Sequence, residues 1–369
     1  MRIGFDARIA YYSRGGIHSY VVHLLDALAA TDGRTDYRIL RSRWDAASPA
    51  HGANFRHVAC WTPSHHRLER WALGLEIARL NLELLHSPDF IPPGFGYDRS
   101  VITVHDLSFL YYPRFLNAES RRYYNEQIDW AVQRTDHILA DSYATRSDLI
   151  SLLQVPPDKI TVVHLAANPC FSPVPDGEAR QVVHQYALQP GFILFVGTLE
   201  PRKNIPGLLH AYRMLLDSRV TAQPLVLVGD KGWLYEEILA AVEALGLSDQ
   251  VRFLDRVPSA HLPALYSAAD VLAMPSFYEG FGLPALEAMA CGTPVIVADR
   301  ASLPEVVGEA GELVDPDDPG AIAGALTRVL TEEPLRVEMG KLGLERAATF
   351  SWDRVARETL KVYRQVLGV

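Results

Sequence analysis

Apolar residues in this chain fall into short runs separated by longer stretches with helical spacing, and the alternation occurs twice. In the first half "RIGFD", "YRIL", "FRHVA", "LELLHS", "SVITVHD", "HILADS" and "ITVVHLA" read as strands. "IHSYVVHLLDALAA" and "AESRRYYNEQIDWAVQRT" place apolar residues three and four apart, as an amphipathic helix does. In the second half "FILFVGT", "PLVLVGD", "VRFLDRV", "DVLAMPS" and "PVIVAD" are the strands, and "NIPGLLHAYRMLLDS" and "HLPALYSAAD" are helical. Uninterrupted apolar strands alternating with helices indicate parallel sheets covered on both faces, reached by right-handed crossovers. The fold class expected is therefore α/β, with two doubly wound domains.

Residues 166–178, "AANPCFSPVPDGE", hold three prolines and no periodicity, and mark the joint. The domains expected are residues 1–170 and 171–351. A final helix, "WDRVARETLKVYRQVL", over about 352–369, is expected to return to the first domain. A length of 369 residues gives each domain its own core. Nothing approaches the ~18 apolar residues of a membrane span. "MRIGFDARIA" is a strand rather than a leader, so a cytoplasmic protein is expected. Cys60, Cys170 and Cys291 are too scattered for a zinc site and read as reduced, packed thiols. A net charge of −9 argues against nucleic acid as a partner. Residues 1–170 carry 18 basic and 18 acidic side chains, the remainder 17 and 26, so the whole excess lies in the second half.

The chemistry concentrates in "SFYEGFGLPALEAMACGTPVIVAD", Ser276 to Asp299. Gly280 and Gly282 let backbone approach a ligand, and Pro284 suits the first position of a helix. The amides of Phe281, Gly282 and Leu283 then face outward at a helix N-terminus, which suits a phosphate. Glu279 precedes the turn and Glu287 lies one turn into the helix. An acceptor-only carboxylate beside a diphosphate is useful for holding hydroxyl groups, so the pair suits a sugar at one end and a ribose at the other. Glu287 also fits a purely structural helix-start glutamate. Gly280-x-Gly282-x-x-Ala285 with Asp299 also matches a dinucleotide fingerprint, so a nicotinamide-dependent oxidoreductase is a rival reading. It leaves Glu279 and the basic pair described next unexplained.

Glu279-x7-Glu287 within "EGFGLPALEAMACGTPVI" resembles the signature of the retaining nucleotide-sugar glycosyltransferases of family 4, which have the GT-B architecture of two facing Rossmann-like domains. The resemblance implies that Glu279 contacts the donor sugar and Glu287 the ribose. It is seconded by "FVGTLEPRKN", in which Arg202 and Lys203 follow a strand end and could neutralise a diphosphate leaving group without a metal. Relatives often carry arginine at the position of Thr198, and Arg202 could supply that charge. In the first half, "YYSRGGIHSY" puts Gly15 and Gly16 before a helix; the resemblance implies that Gly16 touches the diphosphate. His105, at the end of "SVITVHD", resembles the family's active-site histidine. Arg256 and Val257 are expected beside the nucleotide base.

These residues imply transfer of a hexose from a nucleoside diphosphate sugar to a glycan or lipid-linked acceptor, with retention and without metal or other cofactor. "VHDLSFLYYP" and "GTLEPRKN" look most like bacterial mannosyltransferases using GDP-mannose, with UDP-glucose as the alternative donor. Attack is expected on the face the diphosphate leaves, one of its oxygens taking the acceptor proton. Catalytic roles fall to His105, Arg202, Lys203 and Glu279, and alanine at Arg202 or Glu279 should reduce kcat far more than stability. "HHRLERWALGLEIARL" and "FLYYPRFLNAESRRYY" mix aromatics with arginine, as a packing face, a sugar platform or a peripheral membrane contact would. A non-catalytic sugar-nucleotide-binding protein is the remaining alternative.

Overall fold

The computed structural model describes residues 1–12, 15–45, 52–66, 68–113, 118–220 and 223–369. Two compact units divide it, Met1–Leu165 with Ser351–Val369, and Ala166–Phe350.

In the first unit β1 (Arg2–Asp6), β2 (Asp36–Ser42), β3 (Phe55–Cys60), β4 (Leu82–Ser87), β5 (Tyr97–Val104), β6 (His137–Ala140) and β7 (Ile160–Val162) form a parallel sheet in the order β3-β2-β1-β4-β5-β6-β7. Its central strands are buried on both faces, which is why β4 and β5 read as continuous apolar runs. The helix Trp352–Leu367 belongs to this unit. It buries Trp352, Val355, Ala356, Leu360 and Tyr363, and packs on the helix Gly16–Thr31 and on β4, β5 and β6. Ser351 caps its start by accepting from the Arg354 amide at 3.3 Å.

The second unit repeats the winding with β8 (Phe192–Val196), β9 (Leu225–Val228), β10 (Val251–Leu254), β11 (Ala269–Met274), β12 (Val295–Ala298) and β13 (Gly311–Val314), in the order β10-β9-β8-β11-β12-β13. One large core lies between this sheet and its helices, with Phe195, Leu208, Leu227, Ile296 and Leu326 fully buried.

Each sheet therefore changes winding direction once, between β1 and β4 in the first and between β8 and β11 in the second. Open α/β sheets leave a crevice beyond the carboxyl ends of the strands at such a point. Both clusters of functional interest lie there.

Three details differ from the sequence reading. The second unit begins at Ala166 rather than at residue 171. "GELV" forms β13, a strand too short and too polar at Glu312 to register as one. Cys170 is exposed, whereas Cys60 and Cys291 are buried free thiols.

Candidate functional site

In the second unit the site grows from the ends of β8 and β11. β8 stops at Gly197 and β9 at Gly229, both at positive φ (152° and 151°). A Cβ on Gly229 would lie 2.0 Å from the Gly197 carbonyl oxygen, so these strand ends meet through bare backbone. One tight turn, Pro201–Lys203, then leads through left-handed Asn204 into the helix Ile205–Asp217. The turn swings Arg202 and Lys203 across to the end of β11, where the Phe277 amide donates to the Arg202 carbonyl at 2.9 Å.

There the two cations close on Glu279. Lys203 Nζ donates to both of its carboxylate oxygens, at 2.7 and 2.9 Å. Arg202 Nη1 donates to Glu279 Oε2 at 3.0 Å and to the Tyr278 carbonyl at 2.8 Å, while its Nε and Nη2 donate to Glu200 Oε1 at 3.1 and 2.8 Å. Lys203 and Glu279 are buried, and Arg202 is the more open of the three. Burial holds the Lys203 ammonium below the usual lysine value although Glu279 works against it. Burial would raise the Glu279 carboxyl, but Lys203 and Arg202 outweigh it and hold it below the ordinary range. The cluster is thus an internally neutral set of two cations and two carboxylates.

The loop after Glu279 is fixed by Ser302, whose hydroxyl donates to the carbonyls of Glu279 and Phe281, at 2.8 Å each. Gly280 and Phe281 are buried, and Gly282, at φ 103°, starts the helix Leu283–Ala290 with Pro284 at its second position. Glu287, on that helix, accepts from the Tyr266 hydroxyl at 2.9 Å, and burial pushes its carboxyl up to about 7. Thr198 is exposed beside the β8 end. Arg256, exposed and at φ 55°, and Val257 follow β10, two strands away from β8 along the same edge.

The first unit carries its own cluster at the β1/β4 switch. Arg8 is fully buried; it donates to Asp6 at 2.8 and 2.7 Å, to the Thr62 carbonyl at 2.7 Å, and to Glu69. His65 pairs through Nε2 with Asp89 Oδ2 at 2.6 Å, and its amide donates to Glu69 at 2.7 Å. Burial pushes the Glu69 carboxyl up to about 7 against the pull of Arg8. His105, after β5, is held at Nδ1 by Asp141 (2.6 Å) and at Nε2 by the Pro88 carbonyl (2.9 Å). Burial would lower its pKa, but Asp141, with Asp89 and the carbonyl, pushes it up to about 9. Both ring nitrogens thus face oxygen acceptors, an arrangement that favours the protonated ring. Gly15 and Gly16 are exposed at the start of the helix Gly16–Thr31. Residues 13, 14, 67 and 114–117, which fall within the quoted glycine and aromatic stretches, lie outside the described residues.

Two family models cover most of the chain, Glycosyltransferase Family 4 over residues 14–169 and Glycosyl transferases group 1 over residues 178–346. The chain is also 37% identical over 301 residues to O-antigen chain mannosyltransferase B of Escherichia coli, spanning 81% of this chain and 78% of that one. It belongs to the family 4, group 1 glycosyltransferases. Among solved structures, sucrose-phosphate synthase from Thermosynechococcus elongatus superposes with TM-score 0.80 at 25% identity, covering 100% of this transferase and 99% of that chain. Anabaena HepE in complex with UDP-glucose does so with TM-score 0.76 at 17% identity, covering 99% and 100%. The transferase therefore has the GT-B fold, and none of these comparisons points to an oxidoreductase.

Of the residues singled out in the second half, the fold brings Arg202, Lys203 and Glu279 into direct contact. Glu287 stands one helical turn beyond, and Thr198, Arg256 and Val257 lie along the sheet edge. The two cations are bonded to carboxylates rather than standing open. The transferase adds Glu200 and Tyr266, which the sequence reading passed over, and in the first unit Asp6, Arg8, Glu69, Ser87, Asp89 and Asp141. A signal for several existed: Asp6, Ser87 and Asp141 each close or directly follow a buried strand, where an α/β sheet keeps its crevice. Among the described residues no group of three or more His, Cys, Asp or Glu is arranged to hold a metal, and no helix is long and apolar enough to cross a membrane.

Proposed function

We propose that this transferase moves a hexose, mannose from GDP-mannose, onto a glycan or lipid-linked acceptor hydroxyl, with retention of anomeric configuration and without a metal. The observation that carries the reading is the neutral cluster of Arg202, Lys203, Glu200 and Glu279 at the β8/β11 switch, beside the Gly282 start of the helix Leu283–Ala290. An arriving diphosphate takes over Arg202 and Lys203 as partners, aided by the backbone from Gly280 to Leu283. Glu279, relieved of these cations, then accepts hydrogen bonds from sugar hydroxyls, and Glu287 from the ribose. Thr198, Arg256 and Val257 border the nucleotide along the same edge.

The bond from the anomeric carbon to the diphosphate oxygen breaks as the bond to the acceptor oxygen forms on the same face. The acceptor proton passes to a diphosphate oxygen. Charge builds on the leaving group, so the two cations act mainly on the transition state. Arg202→Ala is expected to reduce kcat about 100-fold with GDP-mannose; a variant as active as the parent would remove the assignment. EDTA is expected to leave turnover unchanged, and its loss on chelation would contradict metal independence.

In the first unit His105 and the Gly15–Gly16 turn are the proposed donor contacts. For His105 this requires Nε2–H to exchange the Pro88 carbonyl for a sugar oxygen. UDP-glucose is the alternative donor, supported by the likeness to the HepE complex. A thermal-shift series with UDP, GDP, ADP and NAD separates these readings, since the nucleotide that binds the native state raises its midpoint.

A further inference from the structure

A second polar site lies at the β1/β4 switch of the first unit. A cavity of about 10 Å³ is lined there by Asp6, Ser64, His65, Glu69, Ser87 and Asp89, among others. That is about the room of a single oxygen-sized group. Ser87, the last residue of β4, is 2% exposed, and its hydroxyl has no hydrogen-bond partner among the described residues. The surrounding charged groups are already committed to one another: Asp6 and Glu69 to Arg8, and Asp89 to His65 and to the Phe90 amide at 2.7 Å. A buried hydroxyl without a partner loses the full free energy of its hydration, so a native structure holds one where something arrives to satisfy it.

We propose that this cavity seats one hydroxyl group of the acceptor sugar, with Ser87 as its direct partner. The inference deepens the transferase reading above and rests on it. The chemistry of the walls selects the occupant. Three carboxylates exclude an anion. An ammonium group donates but cannot accept the Ser87 proton, whereas an alcohol does both. The pocket admits an oxygen and excludes a phosphate by size. Asp89, held rigid by His65 and the Phe90 amide, offers the second acceptor edge. His65 itself sits at φ 62°, its amide donating to Glu69, and lines the cavity.

The two sources of such a hydroxyl, a resident water and an acceptor pyranoside, are separated by binding. Saturation-transfer NMR of methyl α-mannoside and methyl α-glucoside with the full chain is expected to show transfer to at least one glycoside. Ser87→Ala is expected to weaken that binding roughly three- to tenfold, the worth of one neutral hydrogen bond. Ser87→Val, which also fills the space, is expected to abolish it. Neither variant should lower the thermal midpoint, because the hydroxyl removed has no partner among the described residues. Unchanged glycoside binding in both variants, or no binding to the parent, overturns the proposal and leaves a structural water. In parallel, the steady-state KM for the glycoside should rise in Ser87→Ala with the KM for GDP-mannose unmoved. If the parent turns over no nucleotide sugar, the donor reading fails instead, and the binding result still decides the cavity.

Discussion

Glu279 shows how one residue joins stability to chemistry. In the resting chain it is the counter-charge of buried Lys203, so deleting it strands an ammonium group. Glu279→Ala is accordingly expected to destabilise the second unit by about 3–5 kcal/mol, more than the sequence reading allows. Glu279→Gln keeps an acceptor for Lys203 and is the cleaner probe of sugar contact: kcat should fall with less loss of stability, as urea melts can check. Arg202, partly open and shared with Glu200, can be removed with less damage. Glu287 gives the residue scale a pH signature. Its folded carboxyl is raised to about 7, so the ionised form that can accept from a ribose is gained as pH rises through that value. The donor KM should fall between about pH 6 and 8, and Glu287→Gln should flatten the profile. His105 works with the opposite sign in stability. It is raised from about 6.5 to about 9, so its contribution is full below pH 6.5 and lost as pH climbs through 9. Thermal midpoints across that range, parent against His105→Gln, test this. The identities of Arg202, Lys203 and Glu279 were legible in the sequence; their pairing was not, because it depends on residues 76 and 77 positions apart meeting across a sheet.

At the scale of elements, the site depends on how strands end. β8, β9 and β11 are legible as apolar runs closed by glycine or by a polar turn, and the helices by their 3.6-residue spacing. β13 escaped because four residues with Glu312 among them carry too little pattern, and its place is fixed by parallel pairing with β12. Gly282 is the element-scale test. Its φ of 103° disfavours any side chain, and a Cβ there would lie 2.7 Å from Leu303 Cδ2. Gly282→Ala should cost at least about 1 kcal/mol, and it should shift the start of the helix Leu283–Ala290. Nucleotide binding should weaken in step, measured by titration. At Gly229 the obstacle is backbone rather than a flexible side chain, so Gly229→Ala should be the more damaging change.

At the scale of the whole molecule, the same winding, 3-2-1-4-5-6, occurs twice with no sequence repeat to announce it. Topology is kept by apolar runs of suitable length, not by identities, so likeness at this level is invisible to residue comparison. Assigning the final helix to the first unit also sharpens the charge asymmetry. The first unit has 22 basic against 20 acidic residues, net +2, and the second 13 against 24, net −11. The first unit exposes Trp44, Trp61 and Trp71, with the Arg43 guanidinium 4.1 and 3.8 Å from the rings of Trp44 and Trp61. If the acceptor is lipid-linked, cosedimentation with vesicles containing anionic lipid should be detectable and weaken with salt; no binding at low salt would dispose of a membrane contact. The central claim is narrower, namely that the switch point of the second sheet holds the nucleotide diphosphate. Calorimetric titration of GDP and UDP into the parent, Arg202→Ala and Glu287→Gln tests it most directly. Binding of one nucleotide to the parent, weakened at least tenfold in both variants, is the expected result, and equal affinity in all three would contradict it.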